Sequence, residues 1–381
     1  MGFIRNIATI LIAGAGIFLW QLSSDFDAQP YDLPPPPALT GPLAPNTLLR
    51  NAKLLLKGQI LGPESILVEG DTLYTGTWDG KILKIVNGQI KKTLYLVESS
   101  GQCATYDSEP QCGRPLGIRR FNKDNLVVVD TYHGVFLANV EAGTSKLIFS
   151  AKTKVGGYAP KFLNDVEVID SDTILVTDSS TNYDRRRFLH VLFEQAPVGR
   201  VLEIKISTGA ARVVLSGLHF ANGIQLHPDK KSVIVSECSM SKILRFYISG
   251  PKTGEAEIFA DNLPGFPDNI RLSTQGTFYV GLASPRYQGK LSLFDALGPH
   301  SWARKLLASA LPERYLGLVF GLFKSNYGLV VELDINGKII GSYHDPDGSI
   351  VPDVSQVSDD QHYLYLGSFH SNFIAQVPKK K

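Results

Sequence analysis

Short apolar or alternating runs, each ended by a turn of Gly, Asp or Asn residues, recur along most of the chain. Residues 65–68, 72–76 and 80–86 form one such series, and similar runs continue to the end of the chain. Runs of four to eight residues bounded by turn residues predict β-strands. Two late runs flank the turn Asn336-Gly337, which predicts a hairpin. Helix-length segments do not alternate regularly with these runs, so the pattern predicts an antiparallel, all-β fold.

Six turn-like clusters precede apolar runs at repeated intervals, which indicates a repeated structural unit. Counted from the second residue of each cluster, the steps are 52, 49, 58, 46 and 84 residues. Repeats of about this size are typical of four-stranded propeller blades. The clusters are Gly62-Pro63-Glu64, Arg114-Pro115-Leu116-Gly117, Leu163-Asn164-Asp165, Ala221-Asn222-Gly223, Pro267-Asp268-Asn269 and Val351-Pro352-Asp353.

Four of these clusters carry oxygen-bearing side chains at corresponding points. In a propeller the innermost strand of each blade starts at the same level of the central channel, so these side chains would converge there. Carboxylate and amide oxygens around one point predict a Ca²⁺ site. Each residue alone is more typical of an ordinary turn. We define the ligand set as Glu64, Asn164, Asn222, Asp268 and Asn269.

Two stretches interrupt the strand pattern. Residues 184–195 carry apolar residues at a spacing that predicts one short amphipathic helix. Residues 291–322 are longer, have a mixed helical period, and account for the long 84-residue step. We expect both insertions to lie over one mouth of the propeller, where covering sheet edges is as good an explanation as a lid or a membrane contact.

The start of the chain predicts a membrane anchor. Residues 7–20 are mostly apolar and, with the residues before them, reach about the length that crosses a bilayer. Arg5 precedes this stretch, whereas Asp25 and Asp27 follow it, which predicts a cytosolic N-terminus. We expect residues 1–24 to form a cytosolic stub and signal-anchor transmembrane helix. A cleaved signal peptide is the alternative.

The rest of the chain follows from this topology. Pro-rich residues 25–44 predict an extended linker, and residues 45–381 predict the six-bladed β-propeller. The protein is then a single-pass type II membrane protein of the endoplasmic reticulum or plasma membrane, with its propeller lumenal or extracellular.

Of the 381 residues, 44% are hydrophobic, which is enough for a large core. The net charge of +2 favours no nucleic-acid partner.

Three cysteines are present, and two of them lie close together. Cys103 and Cys112 share a loop rich in Gly, Ser and Asp, so an oxidising compartment predicts a local disulfide between them. Cys238 would then be a free, buried thiol. Three inert buried thiols are the alternative.

Several longer motifs resemble the calcium-dependent phosphotriesterase superfamily of six-bladed propellers, and within it the strictosidine synthase-like group. The resemblance implies that the ligand set holds a catalytic Ca²⁺ and that a small ester or lactone places its carbonyl oxygen on this ion. It also implies catalytic roles for Asp268, Asn269 and Glu64. The motifs include Cys112-Gly113-Arg114-Pro115-Leu116-Gly117-Ile118-Arg119, Pro264-Gly265-Phe266-Pro267-Asp268-Asn269-Ile270-Arg271 and His344-Asp345-Pro346-Asp347-Gly348.

Three departures from the superfamily bear on its chemistry. Leu116 stands where paraoxonases carry a catalytic histidine. Ser65 stands where they carry an aspartate of a second, structural Ca²⁺ site, although Asp165 matches that site's other carboxylate. Ser355 aligns with the catalytic glutamate of strictosidine synthase. Other bases near predicted strand ends are His133, His219 and His370, each of them more typical of a structural or surface histidine.

Two functions from different classes remain open on the sequence. The first is a Ca²⁺-dependent arylesterase- or lactonase-like hydrolase, favoured by the intact ligand set. The second is a binding module that holds a protein or lipid partner at the propeller mouth, favoured by Leu116. A strictosidine synthase-like condensing enzyme is a weaker third interpretation because of Ser355.

Overall fold

Six four-stranded antiparallel sheets form the body of the protein. The computed structural model describes residues 12–16, 26–98, 101–311, 313–323 and 326–380. The innermost strands of the six sheets contact one another in a closed cycle, from the first sheet round to the last and back to the first. This arrangement is a six-bladed β-propeller, which confirms the predicted all-β architecture.

Each of the first five blades is built from four strands that are consecutive in the chain and run from the centre outwards. Blade 1 contains β2 (Ile66–Glu69), β3 (Thr72–Gly76), β4 (Lys81–Val86) and β5 (Gln89–Tyr95), and blade 2 contains β6 (Pro115–Arg120), β7 (Leu126–Asp130), β8 (Gly134–Asn139) and β9 (Thr144–Ser150). Blade 3 contains β10 (Leu163–Val168), β11 (Thr173–Asp178), β12 (Gly199–Lys205) and β13 (Ala211–Leu218). Blade 4 contains β14 (Ala221–Leu226), β15 (Ser232–Glu237), β16 (Lys242–Tyr247) and β17 (Ala256–Ala260), and blade 5 contains β18 (Gly265–Leu272), β19 (Phe278–Pro285), β20 (Gly328–Leu333) and β21 (Ile339–Asp345).

Blade 6 closes the ring by combining the two ends of the domain. Its inner strands are β22 (Gln356–Asp359), β23 (Tyr363–Gly367) and β24 (Ile374–Pro378), and its outermost strand is β1 (Lys53–Leu55) from the start of the domain. Lys53 pairs with Gln376, and Leu55 pairs with Ile374. Full closure leaves no radial sheet edge between the first and last blades.

Apolar side chains of neighbouring blades fill the space between the sheets. Between blades 2 and 3, for example, the fully buried Val127, Val129, Val166 and Val176 belong to one cluster. This packing explains the β-branched residues that predicted the strands, because both faces of these strands are covered.

Helices from two insertions and one loop lie outside the blades. They are α1 (Glu109–Cys112), α2 (Phe188–Glu194), α3 (Leu293–Leu297), α4 (Ser301–Ala310) and α5 (Glu313–Phe323), with 3₁₀ turns at Gly41–Leu43, Leu48–Asn51, Arg185–Arg187 and Cys238–Met240. Helix α2 contacts α4 and α5, so the two insertions pack together. We call α2 to α5 the cap. Both predicted insertions are therefore helical, as the sequence indicated.

The Pro-rich segment packs against the cap instead of standing free. Residues 26–40 form neither helix nor strand, but Phe26 and Tyr31 are buried. Gln29 N donates to Glu194 O at 2.7 Å, and Tyr31 Oη donates to Phe294 O at 2.7 Å. Arg304 lies over the Tyr31 ring and donates to Gln29 O at 2.5 Å. The described part of the predicted linker therefore packs on the folded body.

Most of the predicted anchor, residues 1–24, lies outside the described residues, and only residues 12–16 of it are described. Within the described ranges, no helix is long and apolar enough to span a bilayer. The transmembrane segment and the type II topology stay predictions.

The cysteines are arranged as the sequence predicted. Cys103 and Cys112 form a disulfide with a Cα–Cα distance of 5.8 Å, and Cys238 is free and buried. The disulfide ties the loop before β6 to α1.

Candidate metal centre

β-Bulges aim the ligand set at the propeller axis. In blade 3, Leu163 pairs with Asp178 and Val166 pairs with Val176, so β10 has one residue more than its partner between these pairs. The extra residue lies at Asn164-Asp165. Strands β6, β14 and β18 have the same shift at Leu116-Gly117, Asn222-Gly223 and Asp268-Asn269. A bulge bends the strand and redirects a side chain, and bulges are common beside active sites.

The first residue of each bulge faces one cavity. Glu64, which precedes β2, and Asn164, Asn222 and Asp268 line a cavity of about 80 Å³ beneath the cap. Leu116 lines the same cavity from blade 2. Asn269, the second residue of its bulge, is buried but is not part of the lining. The structure thus brings four residues of the ligand set together at the cavity and places the fifth directly behind one of them.

Close contact between neighbouring inner strands holds the ligand set in place. A Cβ added to Gly223 would lie 2.6 Å from the Cα of Asn269, which is closer than real Cβ atoms approach. Glycine at this position therefore lets β14 and β18 approach each other. Asn269 N donates to Ser355 O at 2.9 Å, which joins blade 5 to blade 6 at the same level.

Unpaired oxygen atoms mark this centre. The Oδ1 atoms of Asn164, Asn222, Asp268 and Asn269 are all buried, and among the described residues none of them has a hydrogen-bond partner. Asn164 donates through Nδ2 to Ser179 Oγ at 3.1 Å, so its oxygen is the free end of the amide. A buried acceptor without a partner costs about 1–3 kcal/mol, and native proteins contain few of them. Four such oxygens in three neighbouring inner strands, three of them on cavity-lining residues, fit a cation with oxygen ligands.

The electrostatics of the centre also favour a cation. Burial, together with the nearby Glu64 carboxylate, holds the pKa of Asp268 well above its usual range. Arg114 is fully buried and donates to Glu64 Oε2 at 3.3 Å and to Phe369 O at 3.0 Å. Burial and the neighbouring Arg185 lower the pKa of Arg114 to about 10. The described residues contain no group of three or more His, Cys, Asp or Glu side chains that could hold a metal, so this centre depends on amide oxygens beside its two carboxylates.

Apolar, mostly aromatic side chains form most of the remaining wall of the cavity. The cap contributes Phe188, Leu192, Phe294 and Phe320, and the blades contribute further aromatic residues. The cavity therefore combines a small polar floor with an apolar cover, which is typical of small-molecule sites. The blade residues are Phe162, Phe220, Phe266 and Phe369.

The three candidate histidines lie outside this cavity. Nδ1 of His219 is 3.0 Å from Gln195 O. Nε2 of His370 is 2.9 Å from the buried Asp353 carboxylate, and His370 lines an adjoining surface pocket. His133 follows Asp130, whose carboxylate accepts its backbone N–H at 3.0 Å. These contacts match the structural or surface roles that the sequence favoured for them.

Sequence reasoning did not assign roles to several residues of the centre. Arg114 lies in the second turn-like cluster, and its position directly before Pro115 was the available signal. Arg185 and Cys238 line the cavity, but neither lies in a cluster that precedes an inner strand. Ser355, which the sequence had singled out, is fully buried and does not line the cavity, and its Oγ accepts from Phe369 N at 3.1 Å.

Comparison with known families gives matches at both the start and the middle of the domain. A family described as "Strictosidine synthase-like, N-terminal" matches residues 41–85, and "Strictosidine synthase" matches residues 164–251. An "Adipocyte plasma membrane-associated protein" of Gallus gallus is 41% identical over 357 residues, which cover 93% of this chain and 85% of that protein.

Solved structures share the fold at low sequence identity. A gluconolactonase of Xanthomonas campestris matches with a TM-score of 0.56 at 16% identity, covering 92% of this chain and 97% of that one. A calcium-binding protein, regucalcin, of Agrobacterium tumefaciens matches with a TM-score of 0.55 at 12% identity, covering 85% of this chain and 92% of that one. At such identities the likeness establishes the propeller fold alone.

Proposed function

Because the chain belongs to the strictosidine synthase-like family of adipocyte plasma membrane-associated proteins, we propose that it is a Ca²⁺-dependent hydrolase of small esters or lactones. The observation that carries the proposal is the set of unpaired Oδ1 atoms of Asn164, Asn222, Asp268 and Asn269 beside an apolar cavity. Solved relatives of the fold include a gluconolactonase and a calcium-binding protein. Both of those properties agree with the proposal.

The ligand set would hold the ion, with the two carboxylates Glu64 and Asp268 offsetting its charge. When bound, Ca²⁺ supplies Lewis-acid polarisation of a substrate carbonyl. Arg114 holds Glu64 by a hydrogen bond of 3.3 Å, so this carboxylate is fixed in position. Arg114 thereby acts as a positioning residue for the centre.

Asp268 is our candidate for moving a proton. It shares the cavity with Glu64, and these are the carboxylates that line it within the described part of the chain. Glu64 is already held by Arg114, whereas Oδ1 of Asp268 has no partner. An ion held at Oδ1 would leave the other carboxylate oxygen of Asp268 to accept a proton from an incoming water.

The walls determine which substrates fit. Phe188, Phe294 and Phe320 from the cap meet Phe266 and Phe369 from the blades around the polar floor. Such walls favour an apolar acyl or aryl group of the substrate. A small aryl ester or an alkyl lactone therefore fits better than a charged sugar.

Membrane attachment is a further part of this proposal. Relatives carry the name "Adipocyte plasma membrane-associated protein", and the apolar stretch at residues 7–20 predicts an anchor. Phe26 packs in the cluster that includes cap residues, so the chain leaving the predicted anchor reaches the cavity side of the propeller. Protease protection of the propeller in sealed microsomes would support the type II orientation.

The experiment that tests the function is a hydrolysis assay of the purified full chain in detergent. We expect turnover of phenyl acetate or of members of a lactone panel with calcium, and its loss with chelator. Asn222→Ala should reduce kcat by on the order of a hundredfold, because displacement of a reacting group by about 1 Å costs that much. Asn372→Ala, at an exposed asparagine, is the matched control.

Two results would count against the enzyme. Hydrolysis that continues unchanged in a folded Asn222→Ala protein would have another origin. A calcium-loaded parent with no turnover on any ester or lactone would favour the second candidate, a binding module for a protein or lipid at the cap. Leu116 favours that candidate, because this apolar side chain lines the cavity at the position where paraoxonases carry a catalytic histidine.

A further inference from the structure

A buried arginine lies next to the ligand set and bonds to two other inner strands. Arg271 Nη1 donates to Asp165 Oδ2 at 2.7 Å, and its Nη2 donates to Asp165 Oδ1 at 2.9 Å. Nη2 also donates to Ser65 Oγ at 3.3 Å. Arg271 is 6% exposed, while Asp165 and Ser65 are fully buried. This bidentate geometry is the strong form of an arginine–carboxylate pair.

The residues of this pair follow the ligand set along the chain. Ser65 directly follows Glu64, and Asp165 directly follows Asn164. Arg271 is two residues after Asn269. Ile224, two residues after Asn222, donates its backbone N–H to Asp165 Oδ2 at 2.9 Å. One ion pair therefore connects the inner ends of blades 1, 3, 4 and 5, which are the blades that carry the ligand set.

The surrounding charges balance without a metal. Arg119 Nε donates to Glu167 Oε2 at 3.3 Å, and Arg119 Nη2 lies 3.9 Å from Asp165 Oδ2. Two guanidinium groups thus face two carboxylates in this layer. Both oxygens of Asp165 already accept hydrogen bonds, and Ser65 offers no charge. The residues present do not fit the second, structural Ca²⁺ that the superfamily resemblance implies.

We propose that the Arg271 guanidinium takes the place of that second ion as a built-in cation, and that it positions the ligand set by joining its strands. The protein then binds one Ca²⁺, not two. The positioning role depends on the proposed function, because it concerns the same calcium centre. The replacement of the second ion by Arg271 does not depend on it.

Calcium titration of the full chain in detergent tests the replacement. We expect the parent to bind one ion per chain. The double variant Ser65→Asp/Arg271→Ala restores the implied carboxylate and vacates the guanidinium position, so it should bind one ion more than the parent. A folded double variant with no additional ion, or a parent that already binds two, would overturn the replacement.

The two proposals fail in different ways. A parent that binds no calcium would refute the proposed function, yet the gain of one ion in the double variant would still support the replacement by Arg271. A parent that binds two ions would leave the proposed function intact and reject the replacement. The number of bound ions therefore distinguishes the two failures.

A second variant tests positioning without leaving an unpaired buried charge. Asp165→Asn/Arg271→Met removes both charges together, which buried pairs tolerate better than loss of one partner. We expect it to keep one calcium but to bind it at least tenfold more weakly, and Arg271→Lys with Asp165 retained to recover part of that loss.

The matched control is the Arg50–Asp345 ion pair, which includes no residue of the ligand set. Its Nε–Oδ1 distance is 3.0 Å. Arg50→Met/Asp345→Asn should lower the melting temperature without changing the calcium Kd. Unchanged calcium affinity in folded Asp165→Asn/Arg271→Met, or an equal loss in the control, would show that the pair has only a general structural role.

Discussion

Asp268→Asn should have opposite effects on the protein with and without calcium. Without the ion, the Asp268 carboxyl is buried beside Glu64, and its pKa is held well above the usual range. A raised carboxyl pKa means that the folded state opposes ionisation, so the group destabilises the protein at pH 7.5. An amide carries no charge, so the substitution removes this cost. The calcium-free variant should therefore melt above the calcium-free parent.

With calcium the order reverses, because one of the two carboxylates facing a divalent ion is gone. Unit charges 4 Å apart interact by about 4 kcal/mol at an effective dielectric constant of about 20. A tenfold change in affinity is about 1.4 kcal/mol. We expect calcium affinity to fall on the order of a hundredfold or more.

Thermal melts at a fixed calcium concentration convert this loss into a measured shift. At about 100 times the parent Kd, binding stabilises the parent by about 2.7 kcal/mol, and a variant bound about 100-fold more weakly by about 0.4 kcal/mol. At about 2.1 cal/mol/K of unfolding entropy per residue, calcium should raise the melting temperature of the parent by about 4 °C. It should raise that of the variant by less than about 1 °C for a domain of this size.

The matched control is Asp124→Asn, at an exposed acid on blade 2, which should leave the calcium-dependent shift unchanged. Equal calcium shifts in the parent and in Asp268→Asn would refute Asp268 as a ligand. A calcium-free variant that melts below the parent would refute the reasoning about its buried charge.

Two further predictions concern the cap and the disulfide. Burial raises the pKa of Glu194 to about 7, against a hydrogen bond from Asn182 at 2.8 Å that opposes the shift. Because the buried carboxyl is favoured in its protonated form, the contribution of Glu194 to the stability of the folded state is complete below about pH 4.5. This contribution is lost as the pH rises towards 7. The melting temperature of Glu194→Gln should therefore lie above that of the parent at pH 8 and equal it at pH 4.5. The same difference in melting temperature at both pH values would contradict this. Replacing Cys103 and Cys112 by serine should cost about 2–3 kcal/mol of unfolding free energy, measured by denaturant titration beside a reduced parent, and equal stability of the oxidised parent and the variant would contradict it.

The strands could be predicted because their signals are local. Thr72–Gly76, for example, has the bounds that its turn residues predicted. The Asn336-Gly337 turn connects β20 and β21 as expected. Alternating or β-branched residues between turns reflect burial within a sheet, and this pattern is visible without knowing the partner strand.

The ligand set was also accessible from the sequence, but its geometry was not. The repeat places oxygen-bearing side chains near the start of four inner strands, which predicted convergence. The sequence did not show that a bulge turns the two polar residues of one cluster in different directions, so that Asp268 faces the cavity and Asn269 lies behind it. A bulge depends on the register against the neighbouring strand, and single-sequence patterns do not specify register.

Taken alone, the sequence determined the repeated four-stranded unit, the polar residues near the start of four inner strands, the local disulfide and the helical insertions. Tertiary structure alone decided that β1 completes the last blade, that the Pro-rich segment packs on the cap, and that Arg271 pairs with Asp165, 106 residues away. The physical reason is the distance along the chain between the residues that interact. Turns and strand periodicity arise from neighbours in the chain, whereas a buried charge is tolerated only if a partner arrives from elsewhere in the fold. Closure of the six blades is what brings that partner to Asp165.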